Sequence, residues 1–201
     1  MRVSRILTVA MLGMLLTGIA YAGKMVRVVT WNVETIGAKG SPAFNAARDV
    51  LNRIGADVVA VQEIASQADS TNLLNLASEL GYNYTSIAPG GPFGSDRAAF
   101  LSEFPLLVGK AWTAAQLSGD PAANDITRYI LEAEINVTGT ADFMYLVVNH
   151  WKSGSANVDE YRRAIESQRV AQVAVRYDDD TPFVLMGDAY SGPRNLDMGL
   201  S

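Results

Sequence analysis

The chain has 201 residues and no cysteine, so it has no disulfide framework, thiolate metal site, cysteine nucleophile or iron–sulfur cluster. It has one histidine, His150, which excludes any zinc site built on two of them. Seventeen glycines and seven prolines are ordinary usage and leave no room for collagen-like or low-complexity readings. No Gly-x-Gly-x-x-Gly, Gly-Lys-Ser/Thr or Gly-x-Ser-x-Gly motif occurs, so dinucleotide, phosphate-loop and serine-hydrolase readings have no anchor. The longest charge-free apolar stretch, Ile6 to Ala20, is shorter than the roughly 20 residues that a membrane-spanning helix needs.

That stretch follows Arg2 and Arg5 and ends in Ala20-Tyr21-Ala22, with small residues at the two positions a signal peptidase reads. Residues 1–22 therefore read as a secretory signal peptide with Gly23 as the mature start. The expectation is a secreted or periplasmic protein with no stable membrane anchor after cleavage. Removing Arg2 and Arg5 from 16 basic residues leaves 14 against 21 acids, a net charge of −7. An acidic chain does not coat nucleic acid through its bulk field. A phosphodiester would instead have to be met through a cation and a few local basic groups.

Residues 23–201 alternate strand and helix patterns without a linker, as one α/β domain. Met25 to Thr30 is a β-branched run ending in Trp31-Asn32. Ser41-Pro42 reads as a cap and first turn, after which Phe44, Ala47, Leu51 and Ile54 share a helical face that Gly55 ends. Val58 to Val61 is a continuous apolar strand delivering Gln62-Glu63. Leu73, Leu76, Ala77 and Leu80 mark a second helix, closed by Gly81. Tyr84 to Ala88 and Arg97 to Ser102 read as strands on either side of Pro89-Gly90-Gly91-Pro92. Leu131, Ala133, Ile135 and Val137 alternate with Glu132, Glu134 and Asn136, which predicts a strand with one face in solvent. Phe143 to Val148 runs into Asn149-His150-Trp151-Lys152-Ser153. Asp159 to Tyr177 is helical, with Val170, Val173, Ala174 and Tyr177 inward, and Phe183 to Met186 is a last strand ending in Gly187-Asp188. Polar residues thus stand where apolar strands finish, and in layered α/β folds that is where functional groups collect. The acidic run Asp178-Asp179-Asp180 reads as a solvated loop.

Trp31-Asn32-Val33, Val61-Gln62-Glu63, Asn149-His150-Trp151-Lys152-Ser153 and Gly187-Asp188, in that order, resemble the endonuclease/exonuclease/phosphatase superfamily. Arg97 and Thr127-Arg128-Tyr129-Ile130-Leu131, each ahead of a strand, resemble its exported bacterial members. The resemblance implies the deoxyribonuclease-like four-layer α/β/β/α sandwich. It implies a divalent-metal-dependent phosphodiesterase, a monomer, with nucleic acid as substrate. Glu63 and Asn32 match the metal-side pair, and carboxylate and amide oxygens fit Mg²⁺ or Mn²⁺ rather than zinc. His150 matches a histidine that contacts the scissile phosphate, supported by Asn149, and Asp188 matches the aspartate that orients or deprotonates the attacking water. Arg128 and Lys152 would add cations for the substrate phosphate. Two departures accompany the match. Tyr190 stands where the family has asparagine, and after Asp188 no strand pair or terminal Asp-His pair follows, so the sandwich is expected to lack its final strands. The alternatives are a phospholipid-headgroup phosphodiesterase or phosphatase of the same fold, or an inactive truncated remnant.

Overall fold

The computed structural model describes residues 17–21, 24–137, 143–178 and 180–189. Its elements in chain order are β1 (Thr17–Tyr21), β2 (Lys24–Asn32), α1 (Pro42–Ile54), β3 (Val58–Ile64), α2 (Gln67–Leu80), β4 (Tyr84–Ile87), β5 (Arg97–Ser102), β6 (Leu106–Trp112), α3 (Ala114–Ser118), β7 (Ile130–Asn136), β8 (Phe143–His150), α4 (Asn157–Ala174) and β9 (Phe183–Asp188). The helix signals act as read. The Ser41 side chain accepts from Phe44 N, and Gly55 closes α1 in the left-handed conformation at φ 57°. Ser66 caps α2, which Gly81 ends at φ 83°. These caps satisfy backbone groups that have no partner inside the helix.

The strands form two sheets, ordered β1-β2-β3-β5-β4 and β6-β7-β8-β9. Val28, Val58, Ala60 and Phe100 of the first sheet pack against Leu131, Ala133, Leu146 and Val148 of the second. The other face of the first sheet, through Val29, Val59 and Leu101, is covered by Phe44 and Leu51 of α1 and Leu73 and Leu76 of α2. On the outer face of the second sheet, Ile130 and Val147 meet Val170 and Val173 of α4. The order of layers is α/β/β/α, as the sequence motifs imply.

That fourth layer changes the reading of β7. Glu132 belongs to the face expected in solvent, yet it is buried. Helices α3 and α4 cover it, and Trp112 Nε1 donates to its carboxylate. Strand β6 and helix α3 are not marked in the sequence pattern. β6 is an edge strand with an exposed stretch through Leu107, Val108 and Gly109, so it carries no two-residue alternation.

Two of the strand pairs are parallel, β2 with β3 and β8 with β9. α1 connects the first pair and α4 the second, so each pair ends together at its C-terminal side. In the second pair Asn149 lies opposite Gly187, and His150 opposite Asp188. Gly187 has φ 137°, and a Cβ there would stand 2.0 Å from Asn149 O. Only glycine permits that approach. Strand β1 pairs antiparallel with β2 from Thr17↔Val28 to Tyr21↔Lys24, leaving the C-terminal half of β2 to β3 alone. Among the described residues no helix is long and apolar enough to cross a membrane. Tyr190 and the residues after it lie outside the described residues. Gly187→Ala should force β9 off β8, lowering stability by about 2–4 kcal/mol in urea unfolding. An unchanged midpoint would show that the backbone yields there at little cost.

Candidate metal and phosphoester site

Four side chains from four strand ends meet over the open edge of the sandwich. Asn32 ends β2, Glu63 stands near the end of β3, and His150 and Asp188 end β8 and β9. Asn32 Nδ2 donates to Glu63 Oε1 and to Asp188 Oδ2, both at 2.9 Å. His150 Nε2 lies 3.4 Å from Glu63 Oε1. One donor atom each from Glu63, His150 and Asp188 falls within 4.8 Å of the others.

The backbone aims these groups. The β3–β5 register breaks between Val61 and Ile64, and Glu63 sits at φ 64°, a left-handed conformation that side chains other than asparagine and aspartate seldom adopt. A bulge of this kind re-aims one residue of a strand. Gln62, one residue earlier, turns into the protein, where its amide donates to Thr30 Oγ1 and Ala60 O. Asn32 Oδ1 accepts from Glu34 N at 3.1 Å, so the Asn32 side chain faces the carboxylates with its nitrogen. Such local strain concentrates at functional sites.

Two carboxylates sharing one amide donor concentrate negative charge in a half-buried place. Charge of this kind is unfavourable unless neutralised. Their oxygens, with the imidazole nitrogen beside them, are the donor chemistry of a divalent cation that prefers oxygen. The residues therefore fit such an ion, with Glu63, Asp188 and His150 as the groups able to hold it. His150 is buried. Burial lowers its pKa first and the positive charge of Arg128 second, while Glu63, Asp188 and Asp96 pull it partly back.

The other expected residues have different surroundings. The Asn149 side chain turns to β9 and donates to Met186 O at 3.0 Å, while its buried Oδ1 has no hydrogen-bond partner among the described residues. Arg128 lies beside the cluster. Its guanidinium pairs with Asp96 at 2.7 Å and donates to Trp151 O at 3.2 Å. Lys152 is not brought into the cluster, because its ammonium lies 3.1 Å from Asp159 Oδ1 at the start of α4. That ammonium holds the Asp159 carboxyl below its ordinary range.

Three residues that border the site are absent from the sequence reading: Asp96, Arg163 and Glu166. Asp96 carries no signal beyond its place in a glycine-rich loop. Arg163 and Glu166 do carry one. They continue the Val170–Val173–Tyr177 stripe toward the helix start at helical spacing, and charged residues on a core-facing stripe need buried partners.

A two-sheet sandwich thus gathers two carboxylates and an imidazole over its strand ends. The Endonuclease/Exonuclease/phosphatase family model matches residues 29–200, and the chain belongs to this family. Solved structures agree on the fold. Humanized D. rerio TDP2 superimposes with a TM-score of 0.61 at 18% identity, covering 82% of this chain and 62% of that one. An AP endonuclease from Archaeoglobus fulgidus gives 0.61 at 16%, covering 86% and 60%. The human nocturnin catalytic domain gives 0.58 at 16%, covering 83% and 65%. The chain thus spans less than two thirds of the length of each. Among curated proteins no match is found.

If Glu63 and Asp188 hold a cation, Mn²⁺ at about 100 times its dissociation constant adds roughly 2.7 kcal/mol of stability, a rise in melting temperature of roughly 5–11 °C for a domain of this size. In Glu63→Gln the rise should shrink to a small fraction of that at the same Mn²⁺ concentration. An equal rise in both proteins, read by differential scanning fluorimetry, would remove Glu63 from the ligand set.

Proposed function

We propose that this protein is an exported, Mg²⁺- or Mn²⁺-dependent phosphodiesterase that acts on nucleic acid. The observation that carries the reading is the meeting of Asn32, Glu63, His150 and Asp188 within hydrogen-bonding reach at the ends of four strands. A diester phosphate carries one negative charge, and hydrolysis builds more on its oxygens. Glu63 and Asp188 would hold a divalent cation, which when bound would supply Lewis-acid neutralisation of that charge.

The remaining work falls to the chain's own groups. Asn32 fixes the two carboxylates relative to each other through one amide. His150, whose pKa burial lowers, can donate an imidazole N–H to a phosphate oxygen. Arg128, held by Asp96 and Trp151 O, offers a fixed positive charge on the same side. Asp188, beside His150 in register, accepts a hydrogen bond from the attacking water and orients it. Asn149 supports the β8–β9 end from beneath.

Nucleic acid is favoured as substrate by the company this fold keeps. One similar structure is D. rerio TDP2 complexed with a single-strand DNA product, and another is an AP endonuclease. The signal-like residues 1–22 support export. Cleavage after Ala22 would remove β1 but leave the β2–β3 pairing from Val28 to Asn32 intact. N-terminal sequencing of exported protein should therefore begin at Gly23.

Plasmid DNA and bis-p-nitrophenyl phosphate should both be hydrolysed in Mg²⁺ or Mn²⁺ and spared in EDTA. His150→Ala should lower the rate by at least about 10²-fold with the fold intact by circular dichroism. Metal-independent turnover, or full activity in His150→Ala, would contradict the reading. Silence of soluble, folded protein toward both substrates would place the chain among inactive members of its family.

A further inference from the structure

Two charged residues of α4 are buried. Glu166 is 3% exposed and Arg163 is 7% exposed. Glu166 Oε1 accepts from Thr127 N and Oε2 from Lys152 N, both at 2.7 Å. Arg163 Nη1 donates to Lys152 O at 2.9 Å and to Gly154 O at 2.7 Å. Helix α4 thereby grips both the N–H and the C=O of Lys152 and, through the same carboxylate, the residue just before Arg128.

The two clamped segments carry Arg128 and His150, the groups that the proposed function sets against a phosphate. Thr127 precedes Arg128, and Lys152 ends the turn that leaves His150. The segments also meet directly, through Arg128 Nη1 and Trp151 O at 3.2 Å. A small cleft between them is lined by Arg128, Asn149, His150, Trp151 and Glu166. A buried carboxylate carries a large desolvation penalty, offset here by two short charge-assisted bonds to backbone N–H groups. The bonds end on two loops at one side of one site, so what the carboxylate fixes is their separation.

We propose that Glu166 is a positioning residue of the phosphodiester site, setting the distance between Arg128 and the His150–Lys152 turn so that guanidinium and imidazole reach the same phosphate. The inference rests on the function proposed above and deepens it. Glu166 touches no substrate and lies outside the cation cluster, so its loss should weaken phosphate binding and leave metal binding alone. Arg163 assists by holding the far side of the Lys152 peptide.

The test uses Glu166→Ala and Glu166→Gln in the full chain, with inorganic phosphate and Mn²⁺ as probes. In Glu166→Ala, phosphate affinity should fall at least about tenfold, since small misplacements of paired groups are expensive. Amide exchange at Thr127 and Lys152 should accelerate at least about tenfold, while Mn²⁺ affinity stays within about twofold of wild type. Glu166→Gln keeps one acceptor oxygen and should recover part of the phosphate affinity, and it serves alone if the alanine variant does not fold. Wild-type phosphate affinity in a folded variant would overturn the positioning role alone, as would Mn²⁺ affinity falling in parallel. A wild-type chain that binds no phosphate would overturn both this role and the function it rests on.

Discussion

Glu63 and Asp188 are brought to one amide nitrogen, Asn32 Nδ2, at 2.9 Å each, and the architecture can be derived from what that contact requires. The two carboxylates come from different sheets, 125 positions apart in the chain. They can meet only if the sheets pack face to face and if a strand of each ends at the same edge. The inter-sheet core of Val28, Val58, Phe100, Leu146 and Val148 supplies the first condition. The two parallel pairs, each closed by a helical crossover, supply the second, because a crossover returns the chain to run in the same direction. Hydrophobic burial thus provides the free energy that holds like charges together, and a divalent cation would relieve the remaining imbalance.

Local departures from regular structure occur at that edge. Glu63 takes a left-handed conformation inside a strand irregularity, and Gly187 lets β9 approach Asn149 closely enough to leave no space for a Cβ. Both are costs that an ordinary sheet avoids. Buried Arg163 and Glu166 are a third, accepted where two loops must keep a fixed separation. Three unrelated compromises at one end of the sandwich, set against well-capped helices elsewhere, indicate where geometry is being held for chemistry.

Much of this was legible in the sequence because its signals are local. The cap at Ser41, stops at Gly55 and Gly81, and apolar runs ending in polar residues each depend on neighbours a few positions away. The ordered motifs carried the family, and with it the layer order. What was not legible depends on distant partners. The alternation through Glu132 is that of a solvent face until α4 folds over it, and the exposed edge strand β6 has no alternation to read. Lys152 looked like a substrate cation, but Asp159 claims its ammonium. Glu166 drew no reading, although its place on the stripe through Val170 and Val173 is a usable clue.

The central claim is that strand ends from both sheets build one divalent-cation site. Anomalous scattering from crystals grown with Mn²⁺ tests this directly, since it locates the ion without reference to turnover. The account predicts a peak within coordination distance of oxygens of both Glu63 and Asp188. A peak elsewhere, or none at a Mn²⁺ concentration that shifts the melting temperature, would contradict it.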